Sequence, residues 1–157
     1  MHFAHDAPPD ILIEREVDRA IENGFRVPRW GWPIPGPYNG ATGHERIIGW
    51  QKVRVAEDLG LLGTRQQCGL CRALAAPQKH VENYFRPLTS QSICRSCHFH
   101  IHRRFKQPHE WRTRVMQAVN ADDWIARLLT VEMTRNEAML MAMQWNVWGT
   151  PRTSSGG

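Results

Sequence analysis

Four cysteines form two C-x-x-C pairs, Cys68-Gly-Leu-Cys71 and Cys94-Arg-Ser-Cys97. A C-x-x-C pair on a tight turn aims two sulfurs at one ion, and zinc takes four thiolates in a tetrahedron. The spacing therefore predicts one structural Zn2+ held by Cys68, Cys71, Cys94 and Cys97, with Gly69 suited to the first turn. Four thiolates leave no open coordination position, so this ion supports folding and any chemistry belongs to other residues. A redox dithiol would need one such motif in a βαβ setting, which the surrounding pattern lacks.

Histidines crowd the second pair. In CHFHIHRRF, His98 and His102 lie four residues apart and share one face of a helix beginning near Cys97, while His100 points elsewhere. Between the two pairs, KHVENYFRPL brings in His80, Glu82 and Asn83. A hairpin histidine opposite an H-x-x-x-H helix makes an open divalent-metal site from His80, His98 and His102; the bland alternative is that these histidines decorate a zinc ribbon.

Charge is concentrated in the same region. The chain carries a formal +5, and seven of its basic residues stand between Arg86 and Arg114 against one acid, Glu110. Phosphate backbones attract such a stretch. Arg95, Arg103, Arg104 and Lys106 are the expected nucleic-acid contacts, and DNA the expected partner.

Taken together, these residues resemble the HNH (His-Me finger) endonucleases in the form whose ββα-metal core is pinned by a four-cysteine zinc. In many members a pattern like H-H-x-D-Y-x-x-P-L lies on the hairpin, and L-C-x-x-C-H-x-x-x-H leads into the helix. Here HVENYFRPL and ICRSCHFHIH match that form in spacing, over about residues 65 to 105. The resemblance implies a divalent-metal-dependent DNA endonuclease. His98 and His102 would be ligands of a catalytic ion, commonly Mg2+, and His80 would take the remaining place. The chain departs from the pattern at Val81, where the general base should stand, and at Thr89, near the family's central asparagine. A shifted register would make His80 the base and Lys79 a poor ligand, with Glu82 compensating and Asn83 replacing the asparagine. The other classes to weigh are an inactive zinc-finger module that binds DNA or a protein, and an interaction scaffold.

The elements that must position these residues are mostly helical. Ile13, Val17 and Ile21 recur at helical spacing after Asp10, and Gly24 supplies a stop. Residues 25 to 40 hold four prolines and predict an extended connector that wraps over the core with Trp30, Trp32 and Tyr38; an aromatic surface for bases is a second use for them. Thr42 with Glu45 forms a capping box opening a second helix through Val55 to Gly60. Pro108 suits the first turn of a helix bearing Trp111, and Asp122 or Asn120 caps a short helix with Trp124. Thr134 with Glu137 opens a final helix in which Met139, Met141, Met143, Trp145 and Trp148 form core or a contact surface for a protein partner or a second copy.

The expected fold class is thus mainly α with a small zinc-pinned ββα-metal finger, α+β overall. Residues 1–64 supply helices and the connector, 65–107 the finger, 108–149 further helices on the same core, and 150–157 a disordered tail. The N-terminal MHFAHDAPPD lacks a basic start followed by an apolar stretch, and no run approaches the ~18 apolar residues of a membrane span. A cytoplasmic protein without membrane association is expected, in a reducing compartment that keeps the cysteines as ligands.

Overall fold

A computed structural model of the chain describes residues 9–63, 65–75, 78–144 and 147. Six helices and one hairpin follow in order: α1 Pro9–Glu22, α2 Gly43–Asp58, β1 Gln78–Val81, β2 Ser90–Ile93, α3 Arg95–Arg103, α4 Pro108–Gln117, α5 Asp123–Ala126 and α6 Arg135–Met143. The protein is mainly helical with a two-stranded antiparallel sheet, an α+β arrangement. No helix among the described residues is long and apolar enough to cross a membrane. The tail from residue 150, and Trp145 and Trp148, lie outside the described residues.

Local signals place the helix ends. Thr42 accepts from the Glu45 amide while the Glu45 carboxylate accepts from the Thr42 amide, closing the capping box of α2. Gly60, at φ +72°, then turns the chain away from α2. Pro108 occupies the first turn of α4. Asp122 stands at the N-cap of α5 without capping it; its carboxylate takes Arg65, Arg72 and the Trp124 indole instead.

The apolar interior divides in two. Ile93, Ile101, Trp111, Trp124, Ile125 and Leu128 pack around the cysteines, whereas Val17, Val53, Val55, Ala56, Val81 and Leu88 join α1 and α2 to the hairpin. The hairpin stands between them, pairing Gln78 with Ile93 and His80 with Gln91. The loop after β1 is anchored at both ends of the chain. Asn83 donates to the Ala138 carbonyl at 2.9 Å, and Arg86 and Thr89 both reach the Asp10 carboxylate.

The last helix differs from expectation. α6 buries Ala138 and Ala142 but exposes Met139, Leu140 and Met143, because its small residues are the ones that meet the β1–β2 loop. Met139 and Met143 are therefore not core.

Gly49 sets the distance between α2 and that loop. A Cβ there would stand 2.7 Å from Tyr84 Cδ1 and 3.3 Å from Pro87 Cβ, so the tyrosine ring would have to shift. Gly49→Ala is expected to destabilise the fold by about 1–3 kcal/mol, as overpacking commonly does, measured as a fall in the urea midpoint at unchanged m-value.

Candidate metal centre

Two clusters of metal-ligating side chains lie on either side of the first turn of α3. The sulfurs of Cys68, Cys71, Cys94 and Cys97 are all within 4.8 Å of one another, and Cys71 Sγ is 3.7 Å from Cys94 Sγ. Tetrahedral zinc with Zn–S near 2.3 Å requires sulfur separations of about 3.8 Å, so the cluster is compatible with one structural zinc. Backbone amides aim at the sulfurs, Leu70 N at Cys68 and Cys97 N at Cys94, each 3.4 Å away. Burial raises the Cys68 thiol, yet the amides around it outweigh that and lower it to about 7. Burial pushes Cys97 upward. Burial raises the Cys71 thiol too, so ionising all four at these separations would require a cation between them. Gly69 serves this turn through space: a Cβ would fall 2.6 Å from Asp122 Oδ2 and 3.1 Å from the Trp124 indole nitrogen.

The second cluster is His80, His98 and His102, each with a ring nitrogen within 4.8 Å of the others'. Helical spacing on α3 brings His98 Nε2 to 3.1 Å from His102 Nε2. His98 Nδ1 donates to Gln78 Oε1 at 2.8 Å, which leaves its Nε2 as the lone-pair nitrogen. His80 rises from β1 and donates Nε2–H to Glu82 Oε2 at 2.6 Å; its Nδ1 is buried and has no hydrogen-bond partner. An unpartnered imidazole nitrogen beside two others is compatible with a ligand set, and the carboxylate behind the histidine fixes its tautomer. Burial lowers all three rings, with help from the nearby Arg46 charge, to about 3 at His98 and about 2 at His102. They are neutral and able to bind a cation.

Glu82 organises the space behind His80. Its carboxylate is buried and meets Arg104, the Tyr38 hydroxyl at 3.1 Å and Asn39 Nδ2 at 2.7 Å. Burial would raise it, but Arg104 first, then His80 and Asn39, hold it down at about 2. It is a positioning carboxylate, turned away from solvent.

Several expected roles are revised by these contacts. Arg104 is not a phosphate contact: it is 1% exposed, paired with Glu82 and bonded to Tyr38 and the Leu129 carbonyl. Arg95, Arg103 and Lys106 are exposed, and Arg103 lies over the Phe99 ring. Asn83 has no catalytic position, because both ends of its amide hold backbone, the Ala138 carbonyl and the Phe85 amide. Thr89 turns to Asp10, away from the histidines. Lys79 is not drawn into the cluster; its ammonium bonds the Gly63 carbonyl and Ser92 Oγ. Val81 packs against the α1/α2 cluster and lines a cleft of about 480 Å³ that also receives His98, Lys79, Arg54 and Glu57.

Sequence reasoning missed Arg46, Gln78 and Tyr38 at this site. Arg46 lies over the Tyr38 and Tyr84 rings, donates to the Gly36 carbonyl, has no carboxylate partner among the described residues and keeps a buried, unpaired Nε. Only its place at the inner face of a capped helix hinted at it. Gln78 could have been found from its position two residues before His80 on the same strand face. Comparison with protein-family models, curated proteins and solved structures finds no match to the chain.

Two outcomes follow from this geometry. The protein is expected to retain about one equivalent of zinc through dialysis and to take up a second equivalent of Zn2+ or Ni2+; Cys68→Ser should lose the first and His80→Ala only the second, read by metal analysis and calorimetric titration. Arg104→Met leaves a buried carboxylate without its main partner and is expected to cost about 3–5 kcal/mol of stability. Arg103→Met, at an exposed site, should cost under ~0.5 kcal/mol in the same urea titration.

Proposed function

We propose that the chain is a divalent-metal-dependent DNA endonuclease of the HNH type, in which β1, β2 and α3 form a ββα-metal finger pinned by a four-cysteine zinc. One observation carries this reading. Three neutral imidazoles converge on a common point, and the buried Nδ1 of His80 has no partner except what would sit there. A purely structural finger has no use for such a set. Three nitrogen donors favour a borderline ion such as Zn2+ or Ni2+ over Mg2+, which prefers oxygen ligands.

When bound, such an ion polarises a phosphoryl oxygen and acidifies coordinated water. The chain's own residues then have separable tasks. His80, His98 and His102 hold the ion, with Glu82 and Gln78 fixing the first two rings. Arg46 offers an uncompensated positive charge beside the cluster, suited to a phosphate oxygen. Val81 cannot take a proton. Glu57 is the carboxylate that lines the same cleft as His98, and it is assigned the role of proton acceptor. Exposed Arg95 and Arg103 on α3, and Lys106 in the turn after it, extend the phosphate contacts.

A second reading has its own support. Val81 occupies the expected base position as a packed apolar side chain, and Thr89 is committed to Asp10, which favours a non-catalytic module that binds DNA or a protein.

Supercoiled plasmid incubated with purified protein and Mn2+, Ni2+, Zn2+ or Mg2+ separates the two. Nicking is expected with a transition ion, abolished in His102→Ala, and lowered about 10²- to 10⁴-fold in Glu57→Gln. Both variants should keep the cysteine-bound zinc. A folded, zinc-loaded protein that nicks nothing with any of these ions would leave only the binding module.

A further inference from the structure

Three tryptophans gather at one end of the cleft beside His98. Trp30 and Trp32 come from the proline-rich connector and Trp50 from α2. Their ring centroids lie 5.0 Å apart for Trp30–Trp32, 5.2 Å for Trp30–Trp50 and 5.9 Å for Trp32–Trp50, every pair edge-to-face. The Trp30 indole donates to the Pro33 carbonyl at 3.1 Å, and prolines at 28, 33 and 35 stiffen the segment. Trp32 is nonetheless 61% exposed. An indole held rigidly by two others, with its own surface open, is preorganised to cover something flat.

The surroundings identify what that is. Trp50 belongs both to the aromatic group and to the wall of the 480 Å³ cleft, where Arg54 and Lys79 stand against the single carboxylate of Glu57 and Arg65 is already paired with Asp122. Arg54 is exposed and has no acid partner among the described residues. His98 lies in the same cleft and in the histidine cluster. One surface therefore runs from the edge-to-face indoles, past cationic side chains, to His98 of the histidine cluster. Flat aromatic faces followed by phosphate-attracting charge match a strand whose bases are free. In a duplex the base faces are already stacked inside the helix and cannot reach an indole.

We infer that Trp32 and Trp50, braced by Trp30, form a base-stacking subsite for single-stranded nucleic acid, whose backbone passes Arg54 and Lys79 toward His98. This deepens the phosphodiesterase reading and rests on it for the direction of the strand. It names single-stranded nucleic acid, or a locally unpaired region, as the preferred substrate class.

The test is equilibrium binding by the full chain with no divalent ion added, so that cleavage plays no part. Fluorescein-labelled dT15, rU15 and a DNA hairpin duplex of equal length are titrated at several NaCl concentrations. Quenching of intrinsic tryptophan fluorescence by dT15 or rU15 is expected, with affinity at least tenfold above that for the duplex. Trp32→Ala should weaken single-strand binding about 5- to 100-fold, leave duplex affinity and the thermal melt unchanged, and keep the salt slope; Trp32→Phe should restore most of the loss. Arg54→Ala should instead reduce the slope by about 0.7 on the single strand. Equal single-strand affinity for wild type and Trp32→Ala would overturn the subsite. So would a wild-type dimer that Trp32→Ala converts to monomer, because the shelf would then be an interface between copies. Tryptophan-dependent binding by a protein that cuts nothing keeps the subsite and removes the nuclease; metal-dependent cutting indifferent to Trp32 does the reverse.

Discussion

The buried carboxylate of Glu82 is the constraint around which the rest is arranged. An isolated charge in that position would cost several kcal/mol, and the fold meets the cost by converging four side chains from three segments on two oxygens. Arg104 arrives from the end of α3, Tyr38 and Asn39 from the connector, and His80 from the neighbouring strand position. Asn39 in turn accepts from the Met133 amide, and Arg104 donates to Leu129, which ties in the approach to α6. An apolar substitute of similar volume could hold these segments together as well. It could not present His80 in one tautomer with its Nδ1 lone pair facing His98 and His102, and that orientation is the best reason for a charge in this interior.

The site sits where the two apolar clusters meet, and neither owns it. Cysteines and tryptophans pack on one side of the hairpin and valines on the other, while the polar network threads between them. Three of the ten buried residues of the first cluster are cysteines. A metal among those thiols would therefore be part of the core in the ordinary sense, adding its cohesion to that of the packed side chains.

What could be read in advance was what depends on near neighbours in the chain. The capping box of α2, the proline opening α4, the two cysteine turns and the four-residue spacing of His98 and His102 are local, and the fold contains them. Contacts over long sequence distances were not legible. Arg104 belongs to a basic run and reads as surface; only the arrival of Tyr38, 66 residues away, and Glu82, 22 residues away, makes it interior. Thr89 stands near the place of the family's central asparagine and Asn83 is its expected substitute, yet their partners are Asp10 and Ala138, at opposite ends of the chain. Met139 and Met143 read as core by composition, but the face of α6 that meets the β1–β2 loop is that of Ala138 and Ala142.

The hairpin fixes how this chain can vary over time. Gln78 and His80 project to one side of β1 and serve the histidine cluster, while Lys79 and Val81 project to the other. Deleting or inserting a single residue in either strand would exchange those sides, burying an imidazole among valines and turning a valine toward His98 and His102. The loop between the strands has no slack to absorb the change, since Asn83 and Arg86 tie it to distant helices. Related sequences should therefore differ from this one along 78–93 by replacement of side chains at constant length, and gain or lose residues only outside it.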